Sequence, residues 1–284
     1  GWPKVDSIMK KGLGSGELGV VIAPTGAGKS MALVHLGTEA LKAGKNVIHY
    51  TLELQDTVVA IRYDSCLTGV PLNDVYGFKD LVYEKVEELE GQLIVKEYPT
   101  KSASTNTIKN HLDKLHIRGI EVGAIIVDYA DLLRPKTLNR EKRIELESIY
   151  EELRAIAQEF SCPVWTASQT NRSGLNAEVI TMESISEAFN KCFVADFIFS
   201  LSRTVEDKVT NTGRVFVAKN RNGPDGIIYP IYMDTGKVDI KIFKSEGETP
   251  SGIAAKTSKE QADLLKEKYK DFKKKERTKD AKEG

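Results

Sequence analysis

Apolar and polar positions switch between two periods along the first two thirds of the chain. Short apolar or β-branched runs at 18–22, 46–52, 93–96, 124–127 and 164–167 read as strands, and the stretches 29–42, 55–67, 105–118 and 143–159 read as helices. Gly44, Gly69 and Gly119 stop three of those helices. Strands alternating with helices predict right-handed β-α-β crossovers and a mainly parallel sheet covered on both faces. After about Asp196 the rhythm changes. Four strand-like runs at 197–201, 214–218, 227–233 and 238–243 are separated by turn-rich joints such as Asn211-Thr212-Gly213 and Asp234-Thr235-Gly236. This predicts antiparallel hairpins added to one edge of the sheet. Residues 246–257 read as a linker, followed by a charged tail over 258–284. In the tail Ala262, Leu265, Tyr269 and Phe272 recur at helical spacing and Ser258 with Gln261 forms a capping box, which predicts an appended amphipathic helix.

Composition narrows the classes. The 284 residues carry 41 basic and 41 acidic side chains, so net charge by itself argues neither for nor against a nucleic-acid partner. The charge is uneven, however: residues 255–284 hold a net +4, which leaves −4 on the rest. No apolar run approaches the ~18 residues of a membrane span, and no signal pattern opens the chain. The start at Gly1-Trp2-Pro3 reads as a piece trimmed from something longer. Three well-separated cysteines (Cys66, Cys162, Cys192) suit a reducing interior and oppose a disulfide framework or a zinc site. The four histidines show no metal spacing.

The most informative stretch is A-P-T-G-A-G-K-S at 23–30, preceded by a strand and opening a helix. It matches the phosphate-loop pattern except for Ala23, where the pattern has Gly. Backbone N–H groups of Gly26, Ala27 and Gly28 would cradle phosphates at the helix N-terminus. Lys29 would reach the β and γ phosphates, and the Ser30 hydroxyl would ligate Mg²⁺. The whole nucleotide-contacting stretch is then Pro24, Thr25, Gly26, Ala27, Gly28, Lys29, Ser30 and Met31. Three more strand ends point the same way. A-I-I-V-D-Y at 124–129 ends a strand on Asp128, a candidate to hold Mg²⁺ through water. H-Y-T-L-E-L at 49–54 places Glu53 where it could orient and deprotonate a water. W-T-A-S-Q-T at 165–170 places Gln169 where an amide could sense the γ-phosphate.

In this order, A-P-T-G-A-G-K-S, T-L-E-L, I-I-V-D-Y, S-Q-T-N-R-S and A-K-N-R-N-G-P resemble the RecA-type motor domain of hexameric replicative helicases. The similarity is to the DnaB type and its tailed-phage counterparts, over roughly residues 1–245. The resemblance implies an α/β, RecA-like P-loop fold using ATP and Mg²⁺, with Ala23 usual at its position. It implies Glu53 as general base, Asp128 as Walker-B acid and Gln169 as the sensor linking nucleotide to DNA loops. It also implies that Lys219 and Arg221 reach in trans into a neighbouring subunit's ATP, Arg221 as arginine finger. Residues 1–245 would be the motor.

Two segments suit sequence-independent gripping of single-stranded DNA by its phosphates. One is the basic connection carrying Arg134, Lys136, Arg140, Lys142 and Arg143; the other runs from Thr170 through Asn171 and Arg172 to about Asn190-Lys191. The resemblance places Glu187 in a DNA-facing loop, but the usual Gly/Ser-rich run is replaced here by Ala188-Phe189-Asn190-Lys191. The expected activity is ATP-driven 5′–3′ movement along single-stranded DNA by a ring, a hexamer in such proteins. A primase or helicase loader is the expected further partner, and the cytoplasm of a bacterial or phage-infected cell the setting. Two alternatives remain open at this level: a strand-exchange ATPase that forms filaments on DNA, and a signalling or scaffold ATPase without DNA.

Overall fold

A computed structural model of the chain describes residues 2–170 and 192–243. Contacts divide the chain into a unit of residues 1–243 and a second of residues 244–284, the latter outside the described residues. The apolar runs pair into one nine-stranded sheet in the order β3-β2-β4-β5-β1-β6-β7-β8-β9. The strands are β1 (Leu18–Ala23), β2 (Val47–Thr51), β3 (Leu93–Glu97), β4 (Ala124–Asp128), β5 (Val164–Gln169) and β6 (Phe197–Ser202), followed by β7 (Thr212–Asn220), β8 (Ile228–Asp234) and β9 (Asp239–Ile242). Pairing is parallel from β3 to β6 and antiparallel from β6 to β9. The change from crossovers to hairpins therefore falls where the sequence rhythm changes.

Successive residues of β1 face opposite sides, as strand geometry requires. Leu18, Val20 and Ile22 pack under α5 (Thr105–Ile117) and α6 (Lys142–Glu159), which contribute Ile108, Leu112, Ile149 and Leu153. Val21 and Ala23 pack on the other face with α2 (Lys29–Lys42) and α3 (Asp56–Thr68), through Leu33, Leu41, Val59 and Tyr63. Close approach there requires Gly37: a Cβ at that position would lie 2.1 Å from the Tyr63 hydroxyl.

Three features depart from the sequence reading. A short helix α1 (Pro3–Ile8) starts on proline, with Trp2 donating from its indole N–H to the Ile240 carbonyl at 3.1 Å. Helix α4 (Lys79–Glu87), which the sequence reading left out, has no fully buried residue and packs through partly buried ones such as Leu81 and Val82. The joint at Asn211-Thr212-Gly213 is not a tight turn. Helix α7 (Val205–Thr210) links β6 to β7, capped by Thr204 with Asp207 and ended by Asn211 at φ 56°, and Thr212 and Gly213 already belong to β7. The capping box is the local signal that decides for a helix.

Candidate functional site

The parallel register brings the ends of β1, β5, β4 and β2 to one edge. Thr51 pairs with Asp128, and Ala23 with Gln169, so the residues singled out by sequence gather there. The loop from Pro24 to Gly28 turns back over this edge with Gly26 at φ 72° and Gly28 at φ 107°, and Gly28 serves as N-cap of α2. Left-handed backbone at Gly28 is open to glycine without strain, and a Cβ there would strike the Met233 side chain at 2.1 Å.

Lys29 bends toward its own loop, donating to the Pro24 carbonyl at 3.3 Å, and lies 5.7 Å from the centre of the Tyr129 ring. Burial lowers its pKa, opposed by the negative charges of Asp128, Glu53 and Asp131. Asp128 is almost wholly buried. Burial raises its carboxyl to about 6, although the Ser30 hydroxyl donates a hydrogen bond to it and Arg62 and Lys29 lie nearby. Its Oδ1 has no hydrogen-bond partner, and the buried hydroxyls of Ser168 and Thr170 have none either. A buried carboxylate with one unpartnered oxygen beside a hydroxyl fits a hydrated divalent cation, which takes one or two carboxylates, water and phosphate oxygens. Ser30 and Asp128 are therefore suited to hold Mg²⁺ brought in with a nucleotide. Among the described residues no group of three or more His, Cys, Asp or Glu side chains could hold a metal by itself.

Glu53 lies exposed on the bend after β2. The Thr51 hydroxyl fixes that bend, donating to the Leu54 carbonyl at 2.7 Å and accepting from the Leu54 N–H at 3.1 Å. Gln169 ties two sides of the site together. Its amide donates to the Thr25 hydroxyl at 2.7 Å, and the Tyr129 hydroxyl donates to its carbonyl oxygen at 3.2 Å. Met31 lies half-buried in the first turn of α2.

Two participants were missed from sequence. Tyr129, beside Asp128, bridges to Gln169, and burial with Glu53 nearby pushes its phenol up to about 12. Arg62 on α3 is partly desolvated, which lowers its pKa against the pull of Asp128 and Glu53. The available signal was an arginine one helical turn from buried Val59 and next to buried Tyr63.

Lys219 and Arg221 lie elsewhere. β7 runs antiparallel to β6, with Phe197 opposite Asn220, which puts both residues at the Leu18 end of the sheet. The phosphate loop of the same copy is one six-residue strand away, roughly 20 Å. Lys219 sits 4.2 Å from the centre of the Phe193 ring, and burial followed by repulsion from Arg221 lowers its pKa. The arrangement joins Lys29, Ser30, Glu53, Asp128 and Gln169, and does not join them to Lys219 and Arg221 within one copy.

Of the basic loop after β4, Arg134, Lys136 and Arg140 are exposed, as are Lys142 and Arg143 at the start of α6. Lys136 pairs with Glu152 at 3.6 Å and Arg143 with Glu147 at 2.8 Å. Asn171, Arg172, Glu187 and Lys191 lie outside the described residues.

A family model described as the DnaB-like helicase C-terminal domain matches residues 1–237. The chain belongs to that family. A DnaB-like replicative helicase of Enterobacteria phage T4 is 28% identical over 278 residues, covering 93% of this chain and 58% of the relative. The replicative DNA helicase DnaB of Mycoplasma genitalium is 25% identical over 248 residues, 80% of this chain and 52% of its own length. This DnaB-like chain thus spans about half the length of those relatives. Among solved structures, one ATPase domain superposes with a TM-score of 0.73 at 17% identity, over 86% of this chain and 90% of that one. A DnaB-like replicative helicase studied for its interactions with primase gives 0.73 at 17% identity, over 86% and 63%. The fold is thereby the RecA-like ATPase fold of DnaB helicases, in agreement with the α/β expectation.

Proposed function

We propose that residues 1–245 form an ATP-hydrolysing motor that moves along single-stranded DNA as part of a ring, the motor portion of a replicative helicase. Residues 246–257 are its linker and 258–284 its amphipathic tail. The observation that carries the ring is the distance between the two halves of the chemistry. One edge of the sheet holds phosphate loop, carboxylates and sensor. The cations suited to finish the site stand at the other edge, beyond side-chain reach of their own loop. A second copy must bring them.

In this reading Lys29 meets the β and γ phosphates, and Ser30 and Asp128 hold Mg²⁺. Pro24 to Met31 wrap the phosphates through backbone N–H groups at the start of α2. Glu53 orients and deprotonates the attacking water, with Arg62 near both it and Asp128. Gln169 reports the state of the loop through Thr25, and the chain from Gln169 leads directly into the segment containing Asn171, Arg172, Glu187 and Lys191. A nucleotide that pulls Lys29 and Thr25 toward phosphate therefore tugs on a candidate DNA loop.

The exposed basic loop serves as a second grip. Lys142 and Arg143 stand in the first turn of α6, where Glu141 makes no side-chain capping bond. Cations there oppose the helix dipole, a cost that a DNA phosphate offsets. Movement is 5′ to 3′, and a primase or loader is the partner class. The setting is the cytoplasm of a bacterial or phage-infected cell; among the described residues no helix is long and apolar enough to cross a membrane.

Unwinding of a forked duplex with ATP and Mg²⁺ is the decisive assay, run beside Lys29→Ala. The wild type should unwind, with hydrolysis that rises with protein concentration and with single strands, and the variant should lose nearly all turnover while staying folded. Hydrolysis indifferent to DNA would favour a scaffold ATPase. Electron microscopy showing open filaments on DNA without unwinding would favour strand exchange.

A further inference from the structure

The carboxylate of Asp196 is almost wholly buried immediately before β6, yet no part of the chemistry described so far uses it. An ionised carboxylate offers about four acceptor positions; here three hydrogen bonds and one ion pair surround it. Oδ2 accepts from the Leu18 N–H and from Arg154 Nε, both at 3.0 Å. Oδ1 accepts from a terminal amino group of Arg154 at 3.0 Å and pairs with Arg221 Nε at 3.0 Å. The Asp196 carbonyl also accepts the Arg221 backbone N–H at 2.9 Å. Arg221 is thus held at two points by one residue, through backbone and through Nε.

What is left over matters most. Among the described residues the terminal amino groups of Arg221 make no hydrogen bond, and the side chain remains about half exposed. It lines an open cavity of about 400 Å³ together with Arg154, Ser15, Gln158 and Ser161. Three cations, Arg154, Lys219 and Arg221, crowd this corner, and Arg221 and Arg154 each depress the Lys219 pKa whereas Asp196 raises it. The buried Asp196 carboxylate therefore offsets repulsion among three cations, with Glu17 adding negative charge beside Arg154, and Arg154 fixes where the Asp196 carboxylate sits through two hydrogen bonds.

We propose that Asp196 is the positioning residue for Arg221, holding it through Nε so that its two amino groups meet a phosphate of the neighbouring copy's nucleotide. The inference rests on the reading of Arg221 as a trans-acting arginine. It adds a reason for the arginine's place: a guanidinium on an otherwise free stem would have to be ordered at each turnover. Fixing it beforehand removes that entropy cost, and misplacement by about 1 Å can cost on the order of 100-fold in rate.

The test is steady-state ATP hydrolysis by the full chain with saturating single-stranded DNA, for Asp196→Asn, Arg221→Ala and the double variant. Asp196→Asn swaps one accepting oxygen for an amino group facing a guanidinium. It should lower kcat on the order of 10–100-fold while the KM for ATP stays within about twofold. The double variant should be no slower than Arg221→Ala, because a residue acting only through another adds nothing once that one is gone. If Asp196→Asn melts early, Asp196→Glu, which keeps the charge but shifts it by one methylene, should show the same split and the same non-additivity. A wild-type kcat for both Asp196 variants, or a further loss in the double variant, would overturn the proposal. Full activity of Arg221→Ala alone would instead remove the reading beneath it.

Discussion

The two edges of the sheet handle buried polarity in opposite ways. At the phosphate-loop edge, Asp128, Ser168 and Thr170 each bury a side-chain oxygen that bonds to nothing, and Lys29 is desolvated against its own loop. At the far edge Asp196 is equally buried, but its carboxylate accepts three hydrogen bonds and is paired with two arginines. Buried polar groups without partners cost about 1–3 kcal/mol each. The first edge is thus left unsatisfied, as a site for the proposed phosphate and cation would be. The second is finished in advance and presents a fixed cation. A receptor must accept a new ligand at every turnover and release it again, whereas a trans-acting group gains from being rigid.

The contrast is tested most severely at the finished edge. Arg221→Ala should bind a fluorescent ATP analogue normally and hydrolyse it at least ~10³-fold more slowly, the usual worth of an arginine finger. Mixed with Lys29→Ala subunits, it should regain some hydrolysis, because an interface pairing an intact loop with an intact arginine is rebuilt. Normal turnover by Arg221→Ala at every protein concentration would mean that the two edges never meet across subunits.

At the receptive edge, Glu53→Gln should keep nucleotide binding and slow hydrolysis by about 10²-fold, the contribution of a positioned general base. Single-turnover chemistry at saturating ATP separates the step from binding. Loss of both together would make Glu53 a structural residue of the bend after β2.

Asp128 adds a smaller effect of opposite sign. Its carboxyl is raised to about 6 by burial. The folded chain therefore holds this proton more tightly than the unfolded one, and the cost of the buried charge is absent below about pH 4 and complete above about pH 6. Asp128→Asn should accordingly stabilise the nucleotide-free protein by about 1–3 kcal/mol at pH 8 and by nothing near pH 4, read from urea melts. It should abolish hydrolysis all the same. In the wild type, the Mg²⁺ needed for half-maximal nucleotide binding should climb as pH falls through about 6. A stability gap independent of pH would mean that the carboxylate is not desolvated.

Much of this molecule is legible along the chain, because local rules suffice for it. Period-2 and helical apolar patterns place the parallel strands to within a residue or two, and the phosphate loop is recognisable since strand, glycines, lysine and serine are consecutive. Lys29, Ser30, Glu53, Asp128 and Gln169 could be named because a parallel sheet collects the carboxyl ends of its strands at one edge. Helix α4 was left out of the reading although Val82 and Val86 stand at helical spacing in it, and α7 escaped because six residues are too few for a period. The roles of Tyr129, Arg62 and Asp196 depend on partners 40, 66 and 178 positions away in the chain, as between Tyr129 and Gln169, Arg62 and Asp128, and Asp196 and Leu18. Their chemistry comes from burial and from which charges surround them, and neither exists until the sheet has closed. The linear order of residues was enough to pick the strand ends that the sheet gathers beside the loop at 24–28. Packing alone settled which carboxylate would be left wanting a cation and which would be paired with two arginines, since desolvation and hydrogen-bond geometry are properties of packed neighbours.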